Sequence, residues 1–192
     1  MFFQRKIQIL QTDRLTLRLP ESGDFAEWVD LRRGSADFLE PWEPVRDGAY
    51  LTRRAFQNRV VWAKRMAKDR RALNMLIFRT GDDQLLGGIT LDNIQGGVSK
   101  SCTVGYWMGK NFTRQGIMAE ALEASVLHAF TVLDISRIQA GCLPENTPSR
   151  ALLETSGFKY EGVAQSYLQI AGRWRNHVLY ANLRRDRRGR TD

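Results

Sequence analysis

The run Tyr106 to Glu120, YWMGKNFTRQGIMAE, holds the residues of this chain best suited to chemistry on an anion. An apolar strand pattern ends at Gly109, a polar loop follows, and helical spacing begins at Gly116. The first N–H groups of a helix have no partner within it, and they lie at the positive end of its dipole. A glycine at that point lets a phosphate come close to the main chain, and Arg114 adds a charge-assisted donor. The segment is therefore a candidate pyrophosphate cradle. Neither G-x-x-x-x-G-K-[ST] nor G-x-G-x-x-G occurs, which argues against an NTPase or a dinucleotide enzyme.

Other chemistries find little support. Cys102 and Cys142 each lie in an apolar run and read as reduced core residues, without the spacing of metal ligands. His128 and His177 are too few and too scattered for a zinc site, so no metal is expected. The formal charge of +8 is concentrated in two places. Residues 184–192 hold five arginines against two aspartates, and between Arg53 and Arg71 eight Lys or Arg residues face only Asp69. Such surfaces attract a nucleic acid or an anionic cofactor, although a solvated helix face and a frayed tail account for them equally well. No apolar stretch is long enough for a membrane span, and Met1 to Lys6 lacks the order of a secretory signal. A cytoplasmic enzyme with no membrane contact is the expectation.

Those residues need elements to position them. Leu15, Leu17 and Leu19 alternate with polar residues in a strand ended by Pro20. Ser22 reads as the N-cap of a helix carrying Phe25, Trp28, Val29 and Leu31. Phe38 to Asp47, with its two prolines, reads as an ordered loop, and Thr52 opens a longer basic helix. Strands are predicted over 73–79, 85–92 and 101–108, then a helix over 116–133. A buried strand over 138–143 precedes a helix over 148–156, with Thr147 as N-cap, Pro148 at its first position and Gly157 beyond its end. A hairpin over 160–183, turning at Ala171-Gly172-Arg173, completes the chain. A length of 192 residues suits one core. The order of elements predicts one α+β domain over 1–183, built on a mixed, mostly antiparallel sheet, with a basic tail over 184–192.

At Pro144-Glu145-Asn146-Thr147-Pro148-Ser149-Arg150, followed by Leu152-Leu153 and Gly157-Phe158, the chain resembles the GCN5-related N-acetyltransferase (GNAT) superfamily. Within it, the resemblance is to the RimJ/RimL type that acetylates ribosomal-protein N-termini. It covers nearly the whole chain, from Thr12-Asp13-Arg14-Leu15 through Phe38 to Pro44, Gly105-Tyr106-Trp107 and Gly116 to Ala121. It ends at Gly172 to Tyr180. The implied fold is a twisted sheet with helices on both faces, and the implied cosubstrate is acetyl-CoA.

The superfamily's pyrophosphate loop, Q/R-x-x-G-x-G/A, falls on Thr113 to Met118, where only Gly116 matches the fixed positions. The resemblance implies cofactor contacts at Arg114, Gln115, Gly116, Ile117 and Met118. It places the pantetheine arm along Trp107 and Met108, with Asn146 on the opposite lip, and Gly105 would suit a bulge that splays the strands. Many relatives carry a tyrosine where this chain has Leu153, whereas Ser149 falls where RimL-type enzymes place a serine near the sulfur. An α-amino group with a pKa of roughly 7.7–8.0 is about one-tenth neutral at pH 7, far more than a lysine. An N-terminal acetyltransferase therefore needs positioning more than a strong base. Trp42 and Glu43 are expected at the substrate end, with Glu43 as the carboxylate that a water chain would reach. The acceptor implied is the N-terminus of a peptide or ribosomal protein. Acetylation of a small amine is an alternative, and so is an RNA- or ribosome-associated assembly role for the basic surface. The oligomeric state stays open.

Overall fold

The computed structural model describes residues 10–187, apart from the side chain of Arg187. Met1 to Lys6 and the arginines of the tail beyond residue 187 lie outside the described residues. The strand β3 (Leu73–Arg79) fixes the architecture, because both of its faces are covered. Met75 and Ile77 enter one buried cluster, while Leu76 and Phe78 enter another. A strand buried on both sides needs helices on both sides.

Among the described residues, eight strands form one sheet in the order β1-β2-β3-β4-β5-β6-β8-β7. β1 (Leu10–Gln11) and β2 (Leu15–Arg18) precede the helices α1 (Phe25–Gly34), α2 (Ala36–Leu39) and α3 (Arg53–Lys68). β4 (Leu85–Gln95) and β5 (Ser101–Met108) follow β3, and α4 (Ile117–Thr131) leads to β6 (Arg137–Cys142). α5 (Thr147–Thr155) then precedes the hairpin of β7 (Lys159–Ile170) and β8 (Arg173–Leu183). Every pairing is antiparallel except β5 with β6. The helix α3 buries Phe56, Val60 and Ala63 beside Trp28 of α1, whereas α4 buries Ala121, Leu122 and Ala129 on the opposite face.

Several local expectations change. The first helix is preceded by a short 3₁₀ turn, Ser22–Asp24, closed by a reciprocal capping box between Glu21 and Asp24, so Ser22 is not its N-cap. Phe38 to Asp47 is not all loop: α2 runs into a 3₁₀ turn over Glu40–Trp42, because Pro41 sits at an N-terminal position where proline is tolerated. Thr52 does cap α3, its hydroxyl accepting from the Ala55 N–H at 3.3 Å. The cap of α5 is Asn146 rather than Thr147. The tail does not fray at its start, since Arg184 donates to the Phe130 carbonyl at 2.9 Å and pairs with Asp134 and Asp186. Among the described residues no helix is long and apolar enough to cross a membrane.

Candidate acetyl-transfer cleft

The parallel pairing of β5 with β6 ends at Thr103↔Gln139. Beyond it the two strands part, and a cleft of about 610 Å³ opens between them. Gly105 has no part in a bulge: the β4–β5 register runs unbroken from Gly87↔Met108 to Asp92↔Thr103. The splay therefore comes from β6 turning away toward β8, with which it pairs from Arg137 to Cys142.

One lip is the start of α4. Gly116 is its N-cap at φ 74°, and Arg114 is also left-handed at φ 60°. No side chain caps this end, so the first-turn N–H groups of Ile117, Met118 and Ala119 are available to an anion. Arg114, Gly116, Ile117 and Met118 all line the cleft. Gln115 does not: its amide donates to the Asn111 carbonyl at 3.0 Å, and its own carbonyl accepts from Arg14 at 3.2 Å. Arg14 also pairs with Glu120 at 2.6 Å, and the Thr12 hydroxyl donates to the same carboxylate at 2.5 Å. Burial pushes the Glu120 carboxyl up, but these bonds outweigh it and hold it below the ordinary carboxylate value. The Thr12–Leu15 segment thus pins the helix end that carries the cradle.

The other lip is the start of α5. The Asn146 carboxamide oxygen accepts from the Ser149 N–H at 3.1 Å, leaving its NH₂ as the group that can donate elsewhere. Ser149 lies 2.8 Å, oxygen to oxygen, from the phenol of Tyr106, and either can donate. Burial pushes the Tyr106 phenol up to about 12, so it keeps its proton. Cys142 lines the same part of the cleft, and burial raises its thiol as well. Asn146, Ser149, Trp107 and Met108, the residues that the resemblance assigned to this site, line the cleft. Tyr106 was missed by sequence reasoning. The period-2 alternation of β5 carries the signal, because Tyr106 shares the face of Val104 and Met108 that looks toward α4 and α5.

The remaining end of the cleft is apolar. Phe38, Leu39, Trp42 and Pro44 face Leu168 and Ile170 of the last hairpin. A backbone bond from Ala171 N–H to the Glu43 carbonyl, 2.9 Å, ties the two walls together. The Glu43 side chain reaches this end, but both its oxygens are engaged by the buried guanidinium of Arg32, one at 2.9 Å. Arg32 in turn lies 4.7 Å from the Trp107 ring centre. His177, also missed, lines the cleft and is buried. Its Nδ1 lies 3.1 Å from the Arg175 carbonyl, which can only accept, so this nitrogen carries hydrogen and Nε2 remains the ring's acceptor in the neutral form.

A family model described as an acetyltransferase (GNAT) domain matches residues 14–159. The ribosomal protein uS5-alanine N-acetyltransferase of Escherichia coli (strain K12) is 35% identical over 172 residues, 90% of this chain and 89% of that protein. The solved structure of Mycobacterium smegmatis RimJ in complex with CoA-disulfide superposes with a TM-score of 0.86 at 31% identity, covering 95% of this chain and 89% of that one. A ribosomal-protein-S5-alanine acetyltransferase from Vibrio fischeri gives 0.87 at 25% identity, over 95% and 100% of the two chains.

Proposed function

We propose that this chain, which belongs to the GNAT family of acetyltransferases, moves the acetyl group of acetyl-CoA onto the α-amino group of a polypeptide, in the first place a ribosomal protein. Membership makes it an acetyl-CoA-dependent N-acetyltransferase related to ribosomal-protein N-terminal acetyltransferases. The acceptor is what our reading adds. It rests on one observation: the acceptor end of the cleft is walled by apolar residues, and the carboxylate that reaches it, Glu43, is already held by Arg32. A small uncharged N-terminal side chain suits those walls. A polyamine or an amino sugar would lose hydration there with little in return.

Acetyl-CoA supplies the thioester, and the chain's residues do the rest. The N–H groups of Ile117, Met118 and Ala119, with Arg114, would hold the pyrophosphate. Main-chain groups at Trp107 and Met108, left without a β6 partner, would pair with the pantetheine amides, and the Asn146 NH₂ would meet them from the other side. Ser149 would donate its hydroxyl hydrogen to the departing sulfur while Tyr106 donates to Ser149, a two-hydroxyl relay backed by the N-terminus of α5, and the proton shed by the amine would restore the phenol through solvent. Trp42 and Glu43 would bound the acceptor. Each Glu43 oxygen retains a second lone pair for water, so a solvent chain from the amine can end there.

The test is a panel of acceptors. Alanine- and serine-initiated N-terminal peptides of ribosomal proteins, an amino sugar and a polyamine are each incubated with acetyl-CoA, and coenzyme release and product mass are read. Acetylation confined to peptide α-amines is expected; preference for the amino sugar or the polyamine overturns the reading. A second reading, contact with RNA, is favoured by the exposed Arg54, Lys64 and Lys68 on α3. Arg53 and Arg59 of the same helix are instead turned onto the rings of Phe25, Trp28 and Tyr50. Nitrocellulose retention of a ribosomal RNA fragment should fall steeply with salt if that contact exists.

A further inference from the structure

An acceptor polypeptide must leave the cleft somewhere, and a second cavity lies against the same two strands, β5 and β6. A polar hollow of about 490 Å³ covers the beginning of β5 and β6, with Asn93, Gln95, Ser101, Thr103, Gln139 and Tyr167 in its lining. Side chains two apart on a strand share a face. Ser101 and Thr103 therefore point to the same side as Gly105, and Gln139 to the same side as Gly141. Gly105 and Gly141 line the acetyl-transfer cleft. The hollow is thus the next stretch of the same two strands, reached past the open backbone of Gly105 and alongside Tyr167, whose ring lies 3.8 Å from where a Cβ of Gly141 would stand. A Cβ at Gly105 would meet nothing within 4 Å. Tyr167 stands at the junction, with its ring centre 5.6 Å from that of His177.

We propose that this hollow binds the residues following the first one of the acceptor polypeptide, held extended over the β5–β6 floor. The inference rests on the α-amine reading above and adds a subsite to it. From Gly105 back to Ser101 the strand covers about 13 Å at roughly 3.3 Å per residue, room for about four extended residues. The chemistry of the floor suits a main chain. Asn93, Gln95 and Gln139 each offer a donor and an acceptor, and their side chains make no hydrogen bond among the described residues. The charge of Arg137 is met by Glu161, through a bond of 2.8 Å and a second beside it. The track therefore reads peptide groups and length rather than charge. A free small amine would end at Gly141 and gain nothing from it.

The experiment measures kcat/KM with alanine amide and with alanine-initiated peptides of two, four and six residues. Wild-type chain is compared with the double variant Gln95→Ala, Gln139→Ala, whose two side chains are exposed and make no hydrogen bond among the described residues. Wild type should gain about tenfold between alanine amide and the tetrapeptide and then level off, as one or two extra hydrogen bonds would give. The double variant should bring the ratio of tetrapeptide to alanine amide back toward unity, through KM rather than kcat. Equal kcat/KM at every length, or a ratio untouched in the variant, overturns the track and leaves the α-amine reading in place. Failure of every α-amine to be acetylated overturns both.

Discussion

The two lips of the cleft grip by different means. The α4 lip presents main-chain N–H groups from a glycine-capped turn that no side chain closes. The α5 lip presents side chains, with Asn146 spent partly on its own cap and Ser149 bonded to Tyr106 from a strand across the cleft. A main-chain grip depends on backbone shape and tolerates changes of residue type, so Thr113 and Met118 can depart from the superfamily pattern while the turn persists. A side-chain grip depends on individual hydroxyl and amide groups, and there a single substitution removes a function.

The largest expected effect is on the α5 lip. Ser149→Ala and Tyr106→Phe should each lower kcat by about 100-fold, within the range for a positioned proton donor, with little change in acetyl-CoA affinity. Because the two act as one relay, the double variant should be little worse than either single; losses that multiply would separate them. The pH profile sharpens the same point. The rate should rise as the acceptor amine loses its proton, at roughly pH 7.7–8.0. It should then stay level, because the Tyr106 phenol holds its proton up to about 12. A falling limb between pH 8 and 10 would count against Tyr106.

Next in size is the backbone of the α4 lip. Gly116→Val places a branched side chain at φ 74°, with its Cβ 3.4 Å from the Arg14 guanidinium. Strain of this kind costs about 1–3 kcal/mol, so acetyl-CoA should bind about tenfold more weakly by calorimetry, with kcat at saturation nearly kept. Smaller again is Asn146→Ala, which removes the cap of α5 and should lower stability by about 1 kcal/mol in urea titration. The smallest is Thr113→Ala. Its hydroxyl donates to the Lys110 carbonyl at 3.0 Å within the loop, and acetyl-CoA affinity should move by no more than about twofold. A large loss there would break the contrast between the lips.

What the sequence reveals of this molecule follows the range of the interactions involved. β3 and β5 are read to the residue, because the apolar run of β3, the alternation of β5 and the glycines beyond their ends are local signals. The Gly116 turn is legible for the same reason, and so is the Thr52 cap. The α5 cap is misplaced by one position, since Asn146 and Thr147 are both good caps and only geometry chooses between them. Phe38 to Trp42 misleads because proline reads as a helix breaker although it is tolerated in a first turn. Tyr106 pairs with a residue 43 positions away, and Glu43 with Arg32 through a fold-dependent fork. No local pattern in the chain announces either contact. The family resemblance pointed to Ser149 and covered Tyr106 without giving its phenol a role.

One peptide in two forms separates transfer to the α-amine from transfer to lysine. The first is alanine-initiated, with a free α-amine and an internal lysine; the second is the same peptide with its α-amine blocked. After incubation with acetyl-CoA, fragmentation mass spectrometry locates any acetyl group. One acetyl group is expected on the α-nitrogen of the free peptide and none on the blocked one. Acetylated lysine at a comparable rate in both forms would contradict transfer to the α-amine.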